Sequence, residues 1–157
     1  MSVDVGQKVP NVSLIAGDRT PVRLADLLGR PTVLLFFPGA FTGVCTKEMC
    51  TFRDDLSRFN DLGAQVLAIS VDSPYAQQAF KEANGLNFPL LSDFTREAVK
   101  AFGVEDPNFL KGMMAGTAKR SAFVVDANGT VTYRWVSDNP GVEPNYDEVA
   151  AAVKRLT

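Results

Sequence analysis

The sequence predicts an α/β protein of three layers, a mixed central sheet flanked by helices, and three observations carry that prediction. "TVLLFF" (Thr32–Phe37) and "QVLAISV" (Gln65–Val71) are continuous apolar, β-rich runs, the pattern of strands buried on both faces. Amphipathic stretches at helical spacing alternate with them, which makes the middle of the sheet parallel. "SAFVVD" (Ser121–Asp126), the turn "ANG" and "TVTYRWV" (Thr130–Val136) read as a β-hairpin, adding an antiparallel pair at one side. At 157 residues the whole chain, 1–157, is expected to form one domain with a core of its own.

Taken in order, two short β-like pieces come first, near Val12–Ile15 and Val22–Leu24. After Thr32–Phe37 the apolar spacing becomes helical over Gly43–Asp61, and after Gln65–Val71 it does so again over Pro74–Ala83 and Thr95–Phe102. Glu105 to Lys119, "EDPNFLKGMMAGTAK", has no clear period and is expected to be a long loop. The hairpin follows, and a helix over Tyr146–Leu156 closes the chain. Functional groups on such sheets gather beyond the carboxyl ends of the parallel strands. Cys45 falls there, at the turn from Thr32–Phe37 into the first long helix.

Composition narrows the chemistry. The formal net charge of −2 gives no basic footprint for nucleic acid or an anionic membrane. "MSVDVGQKVPNVSL" has neither the basic start nor the apolar block of a signal peptide, and no apolar run approaches the roughly 20 residues of a bilayer span. The cytoplasm is therefore the expected location. Histidine is absent, which excludes Ser-His and Cys-His hydrolysis, His-ligated metals and imidazole acid–base work. Two cysteines do not make a secreted disulfide framework.

Both cysteines lie in "PGAFTGVCTKEMC" (Pro38–Cys50). Thr42 is placed to cap the helix, making Cys45 its third residue, where the first-turn amides favour an anion and promote the thiolate. On a helical wheel Cys45 shares an apolar stripe with Met49, Phe52, Leu56 and Phe59, whereas Cys50 lies about 140° round, beside Arg53 and Ser57. Residues five apart in a helix have Cα atoms roughly 8.6 Å apart, beyond the about 4.4–6.8 Å of a disulfide. The two can bond only if the first turns unwind. The bland alternative is that both are small buried hydrophobes. A metal site is weaker, because two thiolates leave a tetrahedral site half empty, and the spacing is not C-x-x-C.

The stretch Pro38 to Cys45 resembles the P-x-x-x-T-x-x-C pattern of the peroxiredoxins (AhpC/TSA superfamily), thiol peroxidases on a thioredoxin-like fold. The likeness extends over nearly the whole chain, through "VGQKVPNVSL", "VLAISVDSP", "FPLLSD" and "RSAFVVDANGTV". "FFPGAFTGVC" is similar to the AhpE-like branch, and a second cysteine five residues on to the PrxQ (bacterioferritin comigratory protein) branch. The resemblance implies that Cys45 is the peroxidatic cysteine and Cys50 the resolving one. Thr42 and Arg120 would then hold thiolate and peroxide, Pro38 would shield the site, and the amides of Val44 and Cys45 would bind the peroxide oxygens. Glu48 would orient Arg120. No cofactor is implied; the partners are a peroxide and a thioredoxin- or glutaredoxin-like reductant, with the chain a monomer or homodimer.

Physical chemistry supports these roles, since Arg120 can stabilise both the thiolate and the charge on the departing oxygen. A sulfenic acid is protected from further oxidation when a thiol captures it. Two other functions compete. A thiol–disulfide oxidoreductase of this fold would, by family analogy, carry a cis-proline where "TAKRSAFVV" has Arg120. A redox sensor would share the first step without sustained turnover. Lys119 reads as a solvated charge, Trp135 as core or interface, and Met113 and Met114 as residues over or beneath the site.

Overall fold

The computed structural model describes residues 3–156. Its strands are β1 (Ser13–Ile15), β2 (Pro21–Arg23), β3 (Thr32–Phe36), β4 (Gln65–Ser70), β5 (Leu90–Ser92), β6 (Glu105–Asp106), β7 (Thr117–Ala118), β8 (Ser121–Val125) and β9 (Val131–Val136). The helices are α1 (Leu24–Leu27), α2 (Gly43–Asp61), α3 (Pro74–Asn84), α4 (Glu97–Ala101) and α5 (Tyr146–Lys154). Seven strands form one sheet in the order β2-β1-β5-β4-β3-β8-β9, and β6 pairs with β7 alone.

β3, β4 and β5 are parallel, and β8 joins β3 antiparallel, with Leu34 opposite Phe123. Side chains alternate across a strand, so β3 divides between two cores. Val33 and Leu35 meet Met49, Phe52 and Phe59 of α2, Phe80 of α3 and Val149 and Val153 of α5. Leu34 and Phe36 meet Leu24 of α1, Val99 of α4 and Phe102 on the other face. Both faces are covered, which is why the runs read as continuously apolar.

The three-layer plan stands, with corrections to its parts. Antiparallel pairs flank the parallel centre on both sides, because β1 pairs antiparallel with β2 and with β5. The segment read as one long loop is closed at its base by β6 and β7, with Glu105 opposite Ala118. Within it Gly116 has φ +92°, which favours glycine, and a Cβ there would lie 2.8 Å from Arg96 Nε and push that side chain aside. α4 is shorter than expected. Arg96 is left-handed (φ 65°), and the Asp93 carboxylate caps the helix instead, accepting from the amides of Ala98 and Val99 at 2.9 Å each. α2 has the bounds its sequence predicts. Lys119 is not simply solvated, since its ammonium meets Asp138 at 2.8 Å. Met113 and Met114 are both exposed.

Candidate active site

β3 delivers the chain to the carboxyl edge of the sheet, and the amide of Phe37 continues the pairing by donating to the Ile69 carbonyl at 3.0 Å. Pro38 is buried, and the chain turns through Gly39, Ala40 and Phe41 into α2. Two bonds hold that turn. The Ala40 amide donates to Asp72 Oδ2 at 2.8 Å, and the Thr42 hydroxyl donates to the Gly39 carbonyl at 2.9 Å. Phe41 takes a left-handed φ of 64°, with its exposed ring edge-on to Phe80 at 5.2 Å.

Thr42 occupies the cap position in backbone, but its side chain makes no capping bond to the helix. The buried Gly39 carbonyl takes the hydroxyl proton instead. The carbonyl of Thr42 receives both the amide and the hydroxyl of Thr46. First-turn amides lack intrahelical acceptors, which leaves those of Val44 and Cys45 available to an oxygen at the helix start.

Cys45 retains 1% of its surface, and its sulfur accepts from Arg120 Nη2 at 3.2 Å. Arg120 directly precedes β8, and its side chain is 2% exposed although fully charged. Its partners explain how: Nη1 donates to Glu48 Oε1 at 2.8 Å, while Nε and Nη2 both donate to the Pro140 carbonyl, at 3.2 and 2.8 Å. Burial opposes the charge, but Glu48 and Cys45 outweigh it and raise the guanidinium's pKa further.

Glu48 lies on the apolar face of α2, one turn after Cys45, and is completely buried. Burial pushes its carboxyl up to about 7, against the pull of Arg120. Its second oxygen, Oε2, has no hydrogen-bond partner among the described residues. Cys50 lies elsewhere. It is half-buried against α3, with its sulfur 3.8 Å from Asn84 Oδ1, and both thiols are free.

The structure therefore brings Cys45, Arg120 and Glu48 into contact, sets Pro38, Thr42 and Val44 around the turn before them, and keeps Cys50 on another face. Sequence reasoning missed Asp72, whose carboxylate ties the turn to β4 through Ala40 and through the Ser70 hydroxyl at 2.7 Å. It also missed Pro140, which acts through a backbone carbonyl. No group of three or more cysteine and acidic side chains placed to hold a metal occurs among the described residues.

With this geometry in view, comparison with known proteins is direct. Residues 5–134 match the AhpC/TSA family. Peroxiredoxin Bcp of Bacillus subtilis (strain 168) is 36% identical over 137 residues, covering 86% of each protein. Chloroplastic peroxiredoxin Q of Oryza sativa subsp. japonica is 39% identical over 131 residues, 83% of this chain and 58% of that one. The crystal structure of peroxidoxin BcpB from Mycobacterium tuberculosis superposes with a TM-score of 0.84 at 32% identity, over 99% of both chains.

Proposed function

Because the chain belongs to the AhpC/TSA family, and is thus a thiol-dependent peroxidase on the thioredoxin-like fold, we propose that it reduces hydrogen peroxide and small organic hydroperoxides through a Cys45 sulfenic acid and a Cys45–Cys50 disulfide. The observation that carries this reading is the 3.2 Å contact between Arg120 Nη2 and the buried Cys45 sulfur.

The Cys45 thiolate attacks one peroxide oxygen, the O–O bond breaks, and the departing oxygenate takes a proton to leave as water or alcohol. Cys45 is oxidised to the sulfenic acid. Arg120 supplies fixed positive charge to the thiolate and to the departing oxygen, and both it and Cys45 are buried. The amides of Val44 and Cys45 and the hydroxyl of Thr42 hold the peroxide, Pro38 shields it, and Glu48 orients Arg120. The Thr42 hydroxyl, which donates to the Gly39 carbonyl, keeps its lone pairs to accept from the peroxide O–H.

Cys50 then attacks the sulfenic sulfur, releasing water and forming the disulfide, and a thioredoxin- or glutaredoxin-like dithiol reduces it to restore both thiols. The first turns of α2 open for this step, because five residues of intact helix hold the Cα atoms roughly 8.6 Å apart. The protein works as one domain, in the cytoplasm, as a monomer or homodimer. No helix among the described residues is long and apolar enough to cross a membrane.

Peroxide consumption with dithiothreitol, compared for wild type, Cys45→Ser and Cys50→Ser, tests the cycle. Turnover should vanish in Cys45→Ser. Its loss in Cys50→Ser as well makes the internal disulfide obligatory. Unimpaired turnover in Cys50→Ser, with no Cys45–Cys50 disulfide in the oxidised wild type, removes Cys50 from the mechanism. A wild type that consumes no peroxide above the dithiothreitol background defeats the whole scheme.

A further inference from the structure

We propose that the loop joining β9 to α5, residues 137–145, is a strap that aims Arg120 at Cys45, and that Glu143 and Tyr146 anchor it. This rests on the reading of Arg120 given above and adds residues to it that no sequence motif marked.

A guanidinium is a rigid plane carrying five N–H donors. In Arg120 the edge formed by Nε and Nη2 grips a single acceptor, the Pro140 carbonyl. The second hydrogen of Nη2 is the one that reaches Cys45, so the position of Pro140 determines where that hydrogen points. Glu48 touches the plane through one bond only, which leaves the plane free to pivot about it. The carbonyl removes that freedom.

The loop is built to hold still. Its first amide, Ser137, donates to the Arg120 carbonyl at 3.0 Å, which ties its start to the residue it positions. Ser137 and Asn139 then close on each other, the Ser137 hydroxyl donating to the Asn139 carbonyl at 2.8 Å and accepting from its amide at 3.1 Å. The Gly141 amide donates to Asn139 Oδ1 at 2.9 Å. Pro140 and Pro144 fix φ within the segment, and Pro144 is buried.

Outside anchors sit at both ends. Asp138 meets Lys119, the residue before Arg120, at 2.8 Å. Glu143 accepts from the Tyr146 hydroxyl at 2.6 Å and meets Lys47 at 3.1 Å. Tyr146 opens α5 with its ring edge-on to Phe52 of α2, and Lys47 lies on α2 between Cys45 and Glu48. Glu143 thus joins the loop holding Arg120 to the helix carrying both groups that Arg120 faces. Lys47 is largely exposed, so its ion pair adds little; the Tyr146 hydroxyl is the firmer hold. The charged and titratable groups around Glu143 are Lys47, Tyr146, Arg120 and, more distantly, Glu48. The Tyr146 bond, then Lys47, hold the Glu143 carboxyl below its usual range, which keeps it ionised at neutral pH.

The test uses Tyr146→Phe, which removes one hydroxyl and keeps the ring on Phe52, together with Glu143→Ala and Glu143→Gln. Two quantities are read: the rate at which the reduced protein reacts with hydrogen peroxide, and the pH midpoint of Cys45 ionisation from thiolate ultraviolet absorbance in a Cys50→Ser background. Tyr146→Phe and Glu143→Ala should each react about five- to tenfold more slowly, with the ionisation midpoint moved upward. Glu143→Gln, whose amide oxygen still accepts from Tyr146, should stay nearer wild type. Rates within about twofold of wild type and an unmoved midpoint in both Tyr146→Phe and Glu143→Ala overturn the strap. Arg120→Gln separates the levels. If it too reacts normally, the role of Arg120 itself fails; if it is slow while the anchor variants are not, only the strap fails.

Discussion

Glu48 has no accessible surface on a helix face otherwise occupied by Cys45, Met49, Phe52 and Phe59, and its carboxyl consequently titrates near 7 rather than 4.5. The proton belongs on Oε2, because Oε1 is engaged by Arg120 and Oε2 has no hydrogen-bond partner among the described residues. Between about 4.5 and about 7 the folded protein holds a proton that the unfolded chain has released. Stability therefore falls as pH rises through that window, and the deficit is complete above it. Asp93, raised by burial, adds a slope of the same sign in wild type and variant alike. Glu48→Gln should flatten the loss of stability between pH 5 and pH 7.5 (roughly the span of the two titrations), read from urea midpoints across that range. An unchanged slope in the variant would refute the assignment of the titration to Glu48. Truncating Arg120 to methionine is a different matter. It removes the pull that holds the carboxyl down, so Glu48 keeps its proton and the cost is that of the lost buried hydrogen bond, about 1–3 kcal/mol. The chemical corollary is that a neutral Glu48 leaves more of the guanidinium's charge for the Cys45 thiolate.

α2 is the element that both builds the site and has to give way if Cys45 and Cys50 are to join. Its far side is clasped to α3. The Arg53 guanidinium donates to the Asn84 carbonyl, the Asn84 amide group donates to the Phe80 carbonyl, and Cys50 rests against Asn84 Oδ1. Cys50 cannot approach Cys45 without leaving that contact. Arg53→Met keeps the aliphatic stem and frees the clasp, so after one equivalent of peroxide the disulfide should form about tenfold faster or more, as the loss of one charged hydrogen bond implies. Quenched samples resolved by mass would time that step, and a rate equal to or below that of wild type would rule the clasp out. The same element was fully legible in the sequence, from Gly43 to Asp61, because its signals are local: a threonine before the first turn and an apolar stripe at helical spacing. β5, β6, β7 and α1 were not read from pattern. Each spans two to four residues, too few for a period to emerge, and β5 owes its form to strands far away in sequence, its Ser92 lying opposite Ile15 of β1.

At the scale of the whole molecule, the order of the strands decides what can move independently. The amino-terminal pair β1–β2 holds one edge of the sheet, the late pair β8–β9 the other, and the parallel strands lie between them. The chain's start nevertheless reaches across to the late pair. The Gly6 amide donates to the Val131 carbonyl at 2.8 Å, and Lys8 bridges Thr130. The fold also sets the limit of sequence reading at the site. Cys45, Thr42 and Arg120 announce themselves through side-chain type and the resemblance those types carry. Pro140 contributes a carbonyl that every residue possesses, and only the folded sheet brings it to Arg120. The same crossing argues for one cooperative unit. Trp135, the single tryptophan, lies on the edge strand β9 and packs on the core that α2, α3 and α5 share, while backbone circular dichroism samples every element. If 1–157 is one domain, unfolding in urea should give coincident transitions by tryptophan fluorescence and by circular dichroism. The reduced protein is the form to use, since disulfide exchange would break the two-state condition. A tryptophan transition that precedes the loss of helix would mean that β8 and β9 detach first, and the one-domain proposal would give way to two units sharing a sheet.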